Sequence, residues 1–119
     1  MAEQTIVDML GAGSTQTATE FRISKAGLSA RLSAAGYTFD VKAENTLDEL
    51  VAAFICAGIA TLTPEKRAID PINRNIEMTY DPTLGFDAPT IDSQTFNRFT
   101  VDVAFYKPIP APKLNPSDF

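Results

Sequence analysis

An uncharged segment from Leu50 to Leu62, LVAAFICAGIATL, places the strongest constraint on how this chain can fold. It contains no proline, asparagine or glutamine, although 21% of the chain is charged. The preceding residues, Thr46-Leu-Asp-Glu49, form a capping-box sequence, in which Thr46 and Glu49 each accept from the other's backbone amide. Pro64 disfavours helical backbone at the residue before it. We therefore predict a helix from about Leu47 to Leu62.

This helix is apolar nearly all the way round, which has a consequence for the whole fold. A helix of that kind must be covered on more than one side, so it occupies a central position or meets another subunit. We expect Leu50, Val51 and Phe54 to be buried.

Alternating apolar and polar residues predict strands on either side of the helix. The period of two is clearest over Thr95 to Tyr106, where Phe99, Val101, Val103 and Phe105 would share one face. The other predicted strands are Thr19–Ser24, Tyr37–Lys42 and Asn75–Tyr80. The predicted fold class is α+β, with a small, mostly antiparallel sheet packed against one central apolar helix.

The remaining segments divide the chain into three regions: 1–18, an N-terminal arm or short helix; 19–107, the α+β domain; and 108–119, an extended tail. Gln4–Leu10 is predicted as a short helix ended by Gly11, and 12–18 as a linker. The segment 25–36 fits either a helix or a loop, and 64–71 reads as a charged connection. The long connection 81–94 has the length typical of a loop that binds or contacts something.

The C-terminal segment KPIPAPKLNPSDF contains prolines at 108, 110, 112 and 116, which favour an extended, polyproline-like chain. Two interpretations are open: a disordered terminus, or an arm laid across a neighbouring subunit. We favour the arm, since prolines reduce the entropy lost on docking. Apolar residues of the long connection and the tail are the candidate interface residues: Leu84, Phe86, Ile91, Ile109, Leu114 and Phe119.

Charge and composition argue against several classes of function. The net charge of −5 and pI near 4.5 do not suit a groove that follows nucleic-acid phosphates. The longest apolar run is too short to span a membrane, and no signal-peptide pattern opens the sequence, so a soluble, non-exported protein is expected. A single cysteine excludes an intrachain disulfide.

No residue pattern points to catalysis. The chain has no histidine, the commonest general base near neutral pH and the commonest metal ligand. Cys56 lies within the apolar helix, where a buried hydrophobe is the simpler interpretation. Asp81, Asp87 and Asp92 could gather around calcium, but the favoured role of Asp81 and Asp87 is to form turns beside Pro82 and Pro89. We expect no catalytic residue, no cofactor and no metal.

The favoured hypothesis is a non-enzymatic structural or assembly protein that forms a homo-oligomer or part of a larger particle. A bacteriophage virion component, such as a capsid decoration, neck or tail subunit, is its most concrete form. The expected partners are further copies and other structural proteins, and the expected location is the virion, or the cytoplasm if the chain is not phage-encoded. The alternatives are a regulatory adaptor and a small-ligand-binding module or enzyme subunit with a pocket between helix and sheet, using Tyr37, Tyr80 and Arg74.

Overall fold

The architecture is that of a computed structural model, which describes residues 4–80, 90–96, 98–107 and 114–119. The α+β class is confirmed: the described residues form helices and small antiparallel sheets. The helices are α1 (Ile6–Leu10), α2 (Lys25–Ala34), α3 (Leu47–Thr61) and α4 (Pro64–Ile69), with a 3-10 helix at Pro116–Asp118. The strands are β1 (Thr15–Gln16), β2 (Phe21–Arg22), β3 (Ile76–Thr79), β4 (Thr90–Ile91), β5 (Gln94–Thr95) and β6 (Asp102–Phe105).

Helix α3 begins and ends close to where the sequence predicts. The Glu49 amide donates to Thr46 Oγ1 at 3.1 Å, and the Thr46 amide donates to Glu49 Oε1 at 3.0 Å. Both halves of the capping box are therefore formed, which satisfies two amides that lack intrahelical partners. At the other end, the Leu62 amide bonds to the Gly58 carbonyl oxygen at 2.7 Å and closes the last turn.

The core lies between α1, α2 and α3. Its buried side chains come from these helices and from the segment between α2 and α3: Leu10, Leu28, Leu32, Phe39, Ala53 and Ala57. The short N-terminal helix was predicted, and the structure adds that its last residue, Leu10, belongs to this core. The undecided segment 25–36 is helical over Lys25–Ala34, and Ser24 caps this helix by accepting from the Gly27 amide at 3.1 Å.

The predicted four-segment sheet does not form among the described residues. They contain three separate two-stranded antiparallel sheets, β1–β2, β3–β6 and β4–β5. The predicted linker 12–18 supplies β1, which pairs with β2. The predicted long strand 95–106 is divided, since β5 closes a hairpin on β4 and only β6 pairs with β3. Alternation marks residues that can form strands, but pairing depends on distant partners.

The predicted strand Tyr37–Lys42 is wrong, because the segment has no strand structure. Its carbonyl groups are taken by side chains instead: Ser29 Oγ donates to the Phe39 carbonyl at 2.9 Å, and Asn45 Nδ2 donates to that of Asp40 at 2.9 Å. These bonds hold an irregular chain against α2 and bury Phe39.

The predicted charged connection at 64–71 is also corrected, since most of it forms α4. Thr63 caps this helix by accepting from the Lys66 amide at 3.1 Å, and Pro64 occupies the first helical position. Proline is favoured there because its fixed φ suits the helix and its missing N–H would have no intrahelical partner.

The register of the β3–β6 pair fixes which backbone amides point toward the partner strand and which point away from it. Ile76 lies opposite Phe105, and Met78 lies opposite Val103. The amide of Tyr106, the residue directly after β6, donates to the Asn75 carbonyl oxygen at 2.7 Å. Because the direction of hydrogen bonding alternates along a strand, the amide of the preceding residue, Phe105, points away from β3. Met78 follows the same alternation on β3, where its amide turns away from β6 and bonds to the Leu62 carbonyl oxygen.

Candidate protein-interaction surface

The first two turns of α3 carry large apolar side chains that are exposed. Leu47, Leu50, Val51 and Phe54 follow the i, i+3, i+4, i+7 spacing of a single helix face. Their exposed fractions run from 74% for Leu47 to 36% for Leu50, with Phe54 at 39%. The predicted burial of Leu50, Val51 and Phe54 is therefore wrong. We call these four residues the α3 stripe.

The α3 stripe continues along the helix into the protein core. Three, four and seven residues after Phe54, the same face presents Ala57, Gly58 and Thr61, all of them buried. Gly58 lies against the Met78 side chain of β3, and Thr61 Oγ1 accepts a hydrogen bond from the Arg31 guanidinium of α2. One face of α3 is thus covered over its second half and left open over its first half.

Neighbouring elements pack closely on the buried half of this α3 face because its residues, Ala57, Gly58 and Thr61, are small. Arg31 spans all three core helices there: Nε donates to the Asp8 carbonyl at 2.9 Å, and Nη2 donates to Thr61 Oγ1 at 3.0 Å. The contrast of small residues in the second half with large ones in the first was visible in the sequence. This contrast is the sequence feature that could have distinguished the covered half of the α3 face from its exposed half.

The polar residues at the start of α3 are occupied by structural bonds. Glu49 accepts from the Thr46 amide, from Lys42 Nζ at 3.2 Å and from Asn45 Nδ2 at 3.3 Å. These contacts, the Thr46 amide first, lower the Glu49 pKa to about 2. Glu49 therefore stays ionised as a cap, which is the role that the sequence predicts for it.

The candidate interface residues divide into three groups. Leu84, Phe86 and Ile109 lie outside the described residues. Ile91 and Leu114 are more than half exposed and fit an interface role, which stays a prediction. Phe119 contacts its own domain, with its ring centroid 5.3 Å from that of Phe105, and its interface role also stays a prediction.

The three residues proposed for a ligand pocket do not share either of two cavities formed by described residues. Tyr37 lines a cavity of about 270 Å³ between α2 and α3, together with Asp40, Glu49 and Cys56. Arg74 lines a different cavity of about 140 Å³, beside Phe119. Tyr80 packs edge-on against Phe99, with centroids 6.2 Å apart, and lines neither cavity.

The described part of the chain shows the surroundings of several groups with potential chemistry. Burial raises the pKa of the Cys56 thiol, which disfavours the reactive thiolate. The described residues hold no group of three or more possible metal ligands. Asp92 lies in the β4–β5 turn at a φ of 51°, whereas Asp81 and Asp87, the two predicted turn residues, fall outside the described ranges.

Comparisons with known proteins give no relative: no family model, no curated protein and no solved structure matches the chain. Within the described ranges, no helix has both the length and the apolar character needed to cross a membrane. The α3 stripe is therefore the feature on which a functional proposal can be built.

Proposed function

We propose that the protein is a non-enzymatic structural or assembly protein that associates with further copies of itself. The observation that carries the proposal is the α3 stripe: four large apolar side chains in a row at the surface, continuous with the core. Monomeric proteins rarely expose contiguous apolar patches beyond a few hundred Å². A second copy would cover the stripe and continue the packing that the first copy already makes over Ala57 and Gly58.

The spacing of the stripe suits a second copy related by a two-fold axis. With the two helices antiparallel and the axis near Leu50 and Val51, Leu47 of each copy would lie near Phe54 of the other. Such an interface uses the same surface on both subunits. The acidic chain opposes association through its net charge of −5, so raising the salt concentration should strengthen self-association.

Light scattering coupled to size-exclusion chromatography tests the proposal, over a range of protein and salt concentrations. The full chain should elute above the mass of a monomer. Val51→Lys, in the stripe, should lower that mass. Ala52→Lys adds the same charge at an exposed position outside the stripe and should leave it unchanged. A monomer at every concentration contradicts the proposal, whereas an equal response of the two variants contradicts the assignment of the interface to the α3 stripe.

A bacteriophage virion component, as a capsid decoration, neck or tail subunit, is the most concrete form of the proposal. It stays a prediction. Genes for other virion proteins beside this one would support it, as would recovery of the chain with purified particles. Flanking genes of metabolic enzymes would count against it.

The alternative, a small-ligand-binding module, is favoured by one observation, the cavity of about 270 Å³ between α2 and α3. Leu32, Phe39 and Ala53 form an apolar floor, while Asp40 supplies a carboxylate at the rim. That chemistry would select a small cation with an apolar body, such as an alkyl or aryl amine. Thermal shift with a panel of such amines, on the full chain and on Asp40→Asn, distinguishes this alternative from assembly alone.

A further inference from the structure

The outer edge of β6 offers a second surface for self-association. Because Tyr106 bonds to Asn75, the alternation along the strand turns the amide and carbonyl groups of Val103 and Phe105 away from β3. Among the described residues, no strand pairs with this edge. The Val103 and Phe105 side chains are also exposed, at 44% and 46%.

A two-stranded sheet such as β3–β6 is marginal by itself, and an open apolar edge readily accepts a further strand. We propose that β6 pairs with β6 of a second copy, antiparallel and across a two-fold axis at Ala104, to give a four-stranded sheet. The inference rests on the proposed self-association and adds a surface to it that is distinct from the α3 stripe.

Main-chain geometry fixes the register of this pairing. With Ala104 opposite Ala104 of the second copy, Val103 of each copy lies opposite Phe105 of the other. The outward-facing amide and carbonyl groups of both residues then form hydrogen bonds between the two copies. The side chains of Val103 and Phe105 then meet on one face of the composite sheet. A shift by one residue would place apolar side chains beside polar ones, since successive residues alternate between faces.

The same register brings opposite charges together. Asp102 lies opposite Tyr106 of the second copy. Arg67 is stacked on that tyrosine ring, with Cζ 3.5 Å from the ring centroid, and the tyrosine hydroxyl donates to Glu77 Oε1 at 2.6 Å, so the guanidinium shares this ring with one carboxylate of its own copy. Among the described residues, Arg67 makes no ion pair, and its side chain donates only a long 3.5 Å bond to the Pro71 carbonyl. Asp102 is exposed. Each copy would thus supply a carboxylate near the guanidinium of the other.

A cysteine at the two-fold axis gives a direct test of the register. Residues opposite each other without a shared hydrogen bond have Cα atoms about 4.5 Å apart, which a disulfide can span. Ala104→Cys in the full chain should therefore form a disulfide-linked dimer under mild oxidation. Thr100→Cys is the matched control: it is more exposed, but in this register the two cysteines would lie about 20 Å or more apart. The parent chain, with Cys56 only, gives the background.

Loss of the edge amide gives a second test. Val103→Pro removes an N–H that faces away from β3, so the intrachain pair should persist while the dissociation constant rises about tenfold or more. Val103→Ala keeps the amide and should have a smaller effect. The edge inference fails if Ala104→Cys cross-links no better than Thr100→Cys, or if proline and alanine act alike.

These outcomes separate the edge inference from the proposed function. A chain that is oligomeric by light scattering but shows no Ala104→Cys cross-link rejects the β6 edge and leaves self-association standing. Cross-linking together with unchanged association of Val51→Lys supports the edge and rejects the α3 stripe. A chain that is monomeric throughout and does not cross-link rejects both.

Discussion

Gly27 of α2 lies directly against the backbone that follows α1, so that a Cβ on Gly27 would overlap the Ala12 carbonyl oxygen. Gly11 is in reciprocal contact, because a Cβ there would overlap the Gly27 carbonyl. The two glycines let α1 and α2 approach closely, which places Leu10 and Leu28 together in the core.

We expect Gly27→Ala to lower the free energy of unfolding by about 1–3 kcal/mol, because backbone cannot move aside easily. Gly58→Ala is the matched control, since that glycine is also inside a helix. Its Cβ would meet the flexible Met78 side chain, and alanine gains about 1 kcal/mol in helix propensity. Urea unfolding measures both. An equal loss in the two variants would contradict the role assigned to the Gly27 contact.

The second prediction compares two residues of different burial. Phe54→Ala should destabilise the monomer by less than the 3–5 kcal/mol of a fully buried phenylalanine, because Phe54 is 39% exposed. Leu32→Ala, at 1% exposure, should cost about 2–5 kcal/mol. In dilute solution, where association is weak, Phe54→Ala should therefore be the milder change. At high concentration it should also weaken self-association, which Leu32→Ala should not do directly.

The third prediction concerns Arg31, whose guanidinium joins α1, α2 and α3. Arg31→Lys keeps the charge but replaces two separate donor nitrogens, Nε and Nη2, by a single one that cannot reach both acceptors, so a loss of about 1–2 kcal/mol is expected. Arg22→Lys is the control, because its ion pair with Glu20 at 2.7 Å is exposed and contributes little. In thermal and urea unfolding, Arg31→Lys should lose more stability than Arg22→Lys. The reverse result would show that Arg31 is not a structural link.

The fourth prediction is a pH dependence at the α3 cap. The Glu49 pKa falls from an ordinary 4.5 to about 2 on folding, so its contribution to stability is present above pH 4.5. Protonation removes that contribution as the pH falls from 4.5 towards 2. The stability difference between the parent and Glu49→Gln should therefore shrink over this window. A difference that stays constant from pH 7 to pH 2 would show that the carboxylate charge is not what stabilises the cap.

The fifth prediction distinguishes two roles within the C-terminal segment. Phe119→Ala should lower stability by about 0.5–1.5 kcal/mol or more, because its ring contacts Phe105 of the same chain. Leu114→Ala should leave stability unchanged, since Leu114 is 60% exposed. If the segment is also a contact arm, Leu114→Ala should weaken association as seen by light scattering. Removal of residues 108–119 should leave a folded domain that assembles less well.

Local signals in the sequence determined where several elements begin and end. The Thr46–Glu49 capping box and Pro64 placed α3 within one residue at its C-terminal end, and Gly11 marked the end of α1. The segments that form β3 and β6 also lie inside predicted strands. These features depend on contacts between residues only a few positions apart, or on a period that repeats along one element, so the sequence displays them directly.

Tertiary structure decided which faces are covered. The apolar sequence of α3 indicated that other elements must pack against it. Whether they also bury Leu47 to Phe54 depends on where α1, α2 and β3 lie. Tyr37–Lys42 alternates like a strand, yet Ser29 and Asn45 take its carbonyl groups. The open β6 edge likewise follows from pairing with β3 alone. Burial and pairing are set by residues far apart in the chain, which no local pattern of apolar and polar residues can specify.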